Sequence, residues 1–183
     1  MAHEFTTSHL ADSLSLFRFY KKLGEGALAQ LPDNKLNHGL DPEALSVAVI
    51  VKHMTGNMRS RWTDFLTTDG EKPDRGRDSE FEADHAYTRA EMMKLWEDGW
   101  DLVFAALGPL TEADLSRTVM IRAEPHSITQ AINRQIAHYS YHIGQIVFLA
   151  KHFQSGKWKS LSIPRKGSAE FNEKVNRGDA SQR

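Results

Sequence analysis

Four stretches of the 183-residue chain repeat apolar residues at the three-to-four-residue spacing of a helix buried along one face. Over residues 8–31 the stripe is Leu10, Leu14, Phe17, Gly24, Leu28 and Leu31, widened by Leu16, Tyr20, Leu23 and Ala27, and Pro32 stops it. Residues 43–66 carry Val47, Val51, Met54, Met58, Trp62 and Phe65. There Asp41-Pro42 reads as the start, an acceptor followed by proline at the first helical position, and Asp69-Gly70 as the end. Residues 80–107 carry Met93, Trp96, Trp100, Val103 and Leu107. Their entry is Ser79-x-x-Glu82, in which each side chain satisfies a backbone N–H of the first turn, and Gly108-Pro109 stops them. Residues 128–153 carry Ile128, Ile132, Tyr139, Ile143, Ile146, Ala150 and Phe153, entered through Ser127-x-x-Gln130, with Gly156 beyond. Four such helices with little strand signal predict an all-α fold, a four-helix bundle.

The connections are less regular. Residues 67–78 hold seven charges in twelve positions, which predicts a solvated link. Twelve extended residues reach at most about 40–43 Å, and a helix of about 22 residues is about 33 Å long. The link can therefore cross the whole bundle, and a simple up-and-down order is not forced. Thr111-x-x-Asp114 predicts a one-turn helix. Residues 118–123 predict a short strand with Val119 and Ile121 facing one way. In the tail, Trp158, Leu161, Ile163 and Phe171 are expected to pack on the bundle, and residues 175–183 to be disordered. The length suits one domain over residues 1–183.

Composition narrows the chemistry. There is no cysteine, which excludes disulfides, thiolate metal sites, iron–sulfur clusters and a cysteine nucleophile. Nine histidines leave imidazole as the one soft metal ligand in number. Lys+Arg is 23 against Asp+Glu 24, without the basic excess of a nucleic-acid binder. The longest apolar stretch, residues 44–51, is interrupted by Ser46 and far short of the ~18–20 residues of a membrane span. The first twenty residues lack the charged and apolar regions of a secretion signal. The expectation is a soluble cytoplasmic protein that acts on a small molecule rather than on nucleic acid or a membrane.

His138-x-x-x-His142 places two imidazoles one above the other on the fourth helix. Such a pair can share a metal ion, and His53, midway along the second helix, is the best candidate for a third ligand. Three neutral imidazoles with open positions would suit zinc, nickel, copper or iron. The spacing alone equally fits ordinary helix-surface or core histidines. At about 100° per residue, His142 lies roughly 80° and His138 roughly 120° from the centre of their apolar stripe, on its flank. His53 lies roughly 130° from the centre of its own, although residues 44–51 before it are apolar nearly all round. Asn57 and Arg61, one and two turns after His53, and Gln145, one turn after His142, could face the same groove. They would orient a metal-bound water or an anionic substrate there, or simply be solvated. Glu82-x-x-His85 matches half of a di-iron carboxylate motif, but no second copy exists, so it reads as a solvated first turn. His3, His9, His38, His126 and His152 read as solvated.

The second helix, Val51-Lys-His-Met-Thr-Gly-Asn-Met-Arg-Ser-Arg-Trp-Thr-Asp-Phe-Leu66, and the fourth, Ile132-Asn-Arg-Gln-Ile-Ala-His-Tyr-Ser-Tyr-His-Ile-Gly-Gln-Ile146, resemble the DinB-like (YfiT-like) metalloenzyme superfamily. The order of segments is similar too: Phe-Arg-Phe-Tyr-Lys-Lys in the first helix, the Asp-Gly-Glu-Lys-Pro link, then a Trp-rich third helix. Ser162-Ile-Pro-Arg-Lys-Gly-Ser-Ala-Glu-Phe-Asn172 resembles the C-terminal signature of one subfamily. The resemblance covers residues 8–172. It implies a four-helix bundle with a long crossover between helices 2 and 3, a homodimer, and a divalent metal held by His53, His138 and His142. Zinc or nickel come first for that metal, then iron, manganese or copper. Better-known relatives are metal-dependent transferases and isomerases that use low-molecular-weight thiols such as bacillithiol or mycothiol. The resemblance carries no activity over from this subfamily, and the three-histidine pattern without a fourth ligand makes the leading expectation a metal-dependent transferase or hydrolase acting through a metal-activated water or a small-thiol cosubstrate. A metal- or small-molecule-binding protein without catalysis, and a bundle with no metal, are the alternatives. A link to DNA rests on the superfamily's name alone, and the charge balance opposes it.

Overall fold

Ser8, Ser46, Thr88 and Ser127 each sit in extended backbone just before a long helix and accept a backbone N–H three residues on. In the computed structural model, which describes residues 5–181, these caps open α1 (His9–Leu28), α2 (Val47–Trp62), α3 (Arg89–Leu107) and α4 (Ile128–Gln154). A fifth helix, α5 (Ser168–Arg177), lies in the tail. Strands β1 (Thr118–Ile121) and β2 (Glu124–Ser127) form an antiparallel hairpin that runs straight into α4. The protein is thus mostly helical, with one small sheet among the described residues.

Two predicted helix starts move. α2 begins at Val47 rather than near residue 43, because Asp41 accepts the N–H groups of Glu43 and Ala44 and closes a turn instead of a helix. α3 begins at Arg89, because Thr88 and Glu91 form the reciprocal capping box. The earlier Ser79 donates to the Gly76 carbonyl within a 3-10 turn, Asp78–Phe81. The Ser127–Gln130 box and the Thr111–Asp114 box both form as the spacing predicts.

α1 packs most extensively on α4, and α2 on α3, while α2 also meets α4. The core they share is aromatic. Phe17 lies edge-on to Trp62 and Trp100 and tilted against Tyr139. The Trp62 indole N–H donates to the Tyr139 hydroxyl at 2.9 Å, and that hydroxyl donates to Asn57 Oδ1 at 3.2 Å. α1 meets α3 at Gly24, where a Cβ would stand 2.4 Å from the Trp96 ring. Arg89, at the start of α3, donates to the carbonyls of Leu28 and Leu31 at the end of α1.

The expectation of a solvated charged link needs correction. Residues 63–88 join α2 to α3, and their charges turn partly inward. The Arg75 side chain is 5% exposed, and Glu71 binds Arg61, Arg75 and Arg122 together. Asp69 accepts the N–H groups of Arg122 and Ala123 at 2.8 and 2.7 Å. Those two residues make the hairpin turn with φ of 55° and 60°, a conformation that favours glycine or asparagine, so the carboxylate compensates a strained turn. Val119 and Ile121 face the core from β1, as expected, while the partner strand β2 carried no apolar signal.

In the tail, Trp158 and Leu161 pack against the core, whereas Ile163 and Phe171 are half-buried outside it. The end expected to be disordered begins as the last turn of α5, which Gly178 closes in the left-handed conformation. Its residues 182–183 lie outside the described part.

Candidate metal centre

Because α2 and α4 face each other, His53 meets the two imidazoles spaced one turn apart on α4. His53 and His142 are buried and His138 is half-buried. The Nε2 atoms converge: His138 Nε2 lies 3.3 Å from His53 Nε2 and 3.0 Å from His142 Nε2. One nitrogen from each histidine falls within 4.8 Å of the others. Two nitrogens bound to one zinc at about 2.0–2.1 Å and a tetrahedral angle stand about 3.3 Å apart. The donor set therefore fits a single divalent cation.

The far sides of the rings fix which nitrogen carries the proton. His53 Nδ1 lies 2.8 Å from Glu80 Oε2, an oxygen that can only accept, so Nδ1 holds the hydrogen and the Nε2 lone pair faces the centre. His142 Nδ1 lies 2.8 Å from Gln145 Oε1 and takes the same tautomer. His138 Nδ1 is buried without a hydrogen-bond partner, as is Oε1 of Gln135 one turn before it. An N–H on His138 Nε2 could serve one of its two neighbours, not both. A cation satisfies all three lone pairs at once.

Burial holds the two imidazoles of α4 neutral. His138 is pushed down to about 3, by burial first and then by the nearby His142, His53, Arg61 and Arg75. His142 is pushed down to about 4 by burial, which outweighs the opposing bond from Gln145. At neutral pH both lone pairs are free for a metal without displacing a proton.

Glu80 is the functional residue that the sequence pattern missed. It arrives from the 3-10 turn Asp78–Phe81, is 7% exposed, and takes a two-pronged contact from Arg75: Nε to Oε1 and Nη2 to Oε2, each 2.8 Å. Burial would raise its pKa, but the bonds from Arg75 and His53 prevail and keep it below the usual carboxylate range. The Phe81 ring covers His53 at 4.4 Å between centroids. The one sequence signal is thin: Gly56, a mid-helix glycine three residues after His53, where a Cβ would stand 2.3 Å from Glu80 Oε1.

Of the three residues expected around the site, Gln145 stands there, bound to His142 and donating to the Tyr141 hydroxyl at 3.2 Å. Asn57 and Arg61 are buried but turned elsewhere. Asn57 serves Tyr139 in the core, and Arg61 binds the Gly70 carbonyl and Glu71. Among the other histidines, His38, His85 and His152 are exposed, and His9 and His126 are half-buried. His3 lies outside the described residues. Glu82 and His85 sit on non-helical backbone, so their spacing carries no shared helical face.

A family model described as "Protein of unknown function (DUF1572)" matches residues 4–167. No curated protein and no solved structure matches the chain. Among the described residues, no helix is long and apolar enough to cross a membrane.

Proposed function

The chain belongs to the DUF1572 family, and we propose that it is a divalent-metal-dependent enzyme whose metal is held by Nε2 of His53, His138 and His142. The observation that carries this is the convergence of three Nε2 atoms while two of the opposite nitrogens are committed to acceptors. On this reading the four long helices are the bundle of the DinB-like superfamily, and residues 63–88 are its long crossover between α2 and α3. The resemblance of α2 and α4 to that superfamily supports it, as does the hairpin-pinned length of the crossover.

A cation bound there supplies Lewis-acid activation of a water or a small thiol in its open positions. The protein's own residues do the rest. Glu80 and Gln145 hold two imidazoles in the ligating tautomer, and Phe81 shields His53 from water. With no cysteine in the chain, any thiol enters as a cosubstrate. Zinc and nickel lead the metals, ahead of iron, manganese and copper. The substrate is a small molecule, the working form is a homodimer, and neither nucleic acid nor a membrane is a partner.

Elemental analysis of protein purified without added metal, followed by incubation with thiols and electrophiles, tests this. One equivalent of metal and metal-dependent turnover are expected. Absent metal, or turnover indifferent to it, overturns the proposal.

A second reading, metal or metabolite binding without catalysis, is favoured by one observation. Glu80, the carboxylate bonded to the triad, is already engaged by two bonds from Arg75 and one from His53, and no other carboxylate stands among the described triad contacts as a general base. Ligand recovered unchanged after long incubation supports that reading, and any product excludes it.

A further inference from the structure

We infer that Glu80 and Arg75 form a positioning pair that fixes His53 as a ligand through Nε2. This rests on the three-histidine cluster being a metal centre, and it assigns a role to two residues of the crossover that are outside the three-histidine donor set. A merely structural ion pair would need Arg75 and Glu80 to bind each other, nothing more. Here the pair is aimed. Glu80 Oε2 accepts both from Arg75 Nη2 and from His53 Nδ1, each at 2.8 Å, so the guanidinium and the imidazole share one oxygen. Arg75 Nε holds the other oxygen at 2.8 Å and stops the carboxylate from rotating away. Arg75 is itself anchored from behind by Glu71, at 3.3 Å from Nη1.

The helix is also shaped for the contact. Gly56 leaves the space that Glu80 Oε1 occupies, since a Cβ there would stand 2.3 Å away. Glu80 and Arg75 bury together, at 9% and 5% side-chain exposure. Ion pairs so enclosed recover little net stability, because desolvation offsets the attraction. Orientation of the ligand gives the burial a purpose. An anionic acceptor behind an imidazole fixes its tautomer and raises its basicity towards the metal. Arg75 holds the carboxylate so that Oε2 faces Nδ1 as an acceptor.

Two readouts test this, one without metal and one with it. In the metal-free protein, ring-nitrogen NMR is expected to find His53 protonated on Nδ1, and in Glu80→Ala the Nε2–H tautomer is expected to emerge. Cobalt(II) titration, read from its absorption bands, is expected to weaken by about 10–100-fold in Glu80→Ala. Glu80→Gln should lose less, because its amide oxygen still accepts from His53 while its NH2 confronts Arg75. Gly56→Ala, which keeps every charge and displaces Glu80, should weaken cobalt in the same direction. Circular dichroism establishes that each variant is folded, and if Glu80→Ala is not, Glu80→Gln and Gly56→Ala carry the test. Folded variants with the wild-type tautomer and wild-type cobalt affinity overturn the positioning role and leave the metal centre standing. Wild-type protein that binds no cobalt, zinc or nickel overturns both.

Discussion

Tyr139 shows how one hydroxyl separates structural from functional polar residues. It receives the Trp62 N–H and donates to Asn57, and all three are buried. Tyr139→Phe leaves a buried donor and a buried acceptor unpaired, each worth about 1–3 kcal/mol. Thermal or denaturant unfolding should show a loss of about 2–6 kcal/mol, while metal stoichiometry stays at the wild-type value. A lost metal would return Asn57 to the site from which its geometry removes it. Gln145 should behave in the opposite way. Gln145→Leu strips the acceptor from His142 Nδ1 and should weaken metal binding by about tenfold or more. Its side chain is half-buried, so stability should hardly move. Sequence spacing grouped Asn57, Arg61 and Gln145 alike because all three stand at helical steps from a histidine. It could not tell them apart, because what separates them is the partner each meets from a distant segment. Glu80 was illegible for the same reason: its partner His53 is 27 residues away, and the spacing reads it as the first residue of the third helix.

At the scale of elements, the helices were legible where a cap and an apolar stripe coincided, as at Ser127 before α4. They were misplaced where two equivalent signals competed. Ser79-x-x-Glu82 and Thr88-x-x-Glu91 have the same spacing, and only the second has a continuous helix behind it. The crossover was the least legible element, since its order comes from ion pairs with α2 and from the hairpin rather than from apolar periodicity. Gly24 tests the packing between α1 and α3. Adding a methyl 2.4 Å from the Trp96 ring should force that indole to shift, and Gly24→Ala should lose about 1–3 kcal/mol despite alanine's better helix propensity. A gain in stability would mean that the α1–α3 contact is looser than this geometry. The turn Glu112–Ser116 carries a pH signature. Asp114 is pulled from its ordinary 3.8 to about 2 by the Thr111 N–H, Arg117 and the Thr111 hydroxyl. Its folded pKa lies below its unfolded one, so its support is full above about pH 3.8 and is lost as the pH falls through about 2. Carboxyl-carbon NMR should place its midpoint near 2, moving towards 3.8 in Arg117→Ala.

For the whole molecule, the three imidazoles meet between segments already joined by packing and by the Trp62–Tyr139–Asn57 hydrogen bonds. α2 supplies one imidazole, α4 two, and the crossover contacts the first through Glu80. A cation bound only by the folded arrangement adds RT ln(1 + [L]/Kd), about 2.7 kcal/mol at a hundred times Kd. For a chain of this length each kcal/mol moves Tm by about 2–4 °C, so the metal-loaded protein should melt about 5–10 °C above the chelated one. The dependence on concentration matters more than the size. Each tenfold rise in free metal should add about 1.4 kcal/mol, a slope that packing or ionic strength cannot imitate. His53→Ala, His138→Ala and His142→Ala should each flatten that slope. Asn57→Ala and His85→Ala should keep it, whatever their own stability. A slope that survives loss of His138 and His142 together would place the bound metal elsewhere, and the triad would then be no more than three side chains packed between two helices.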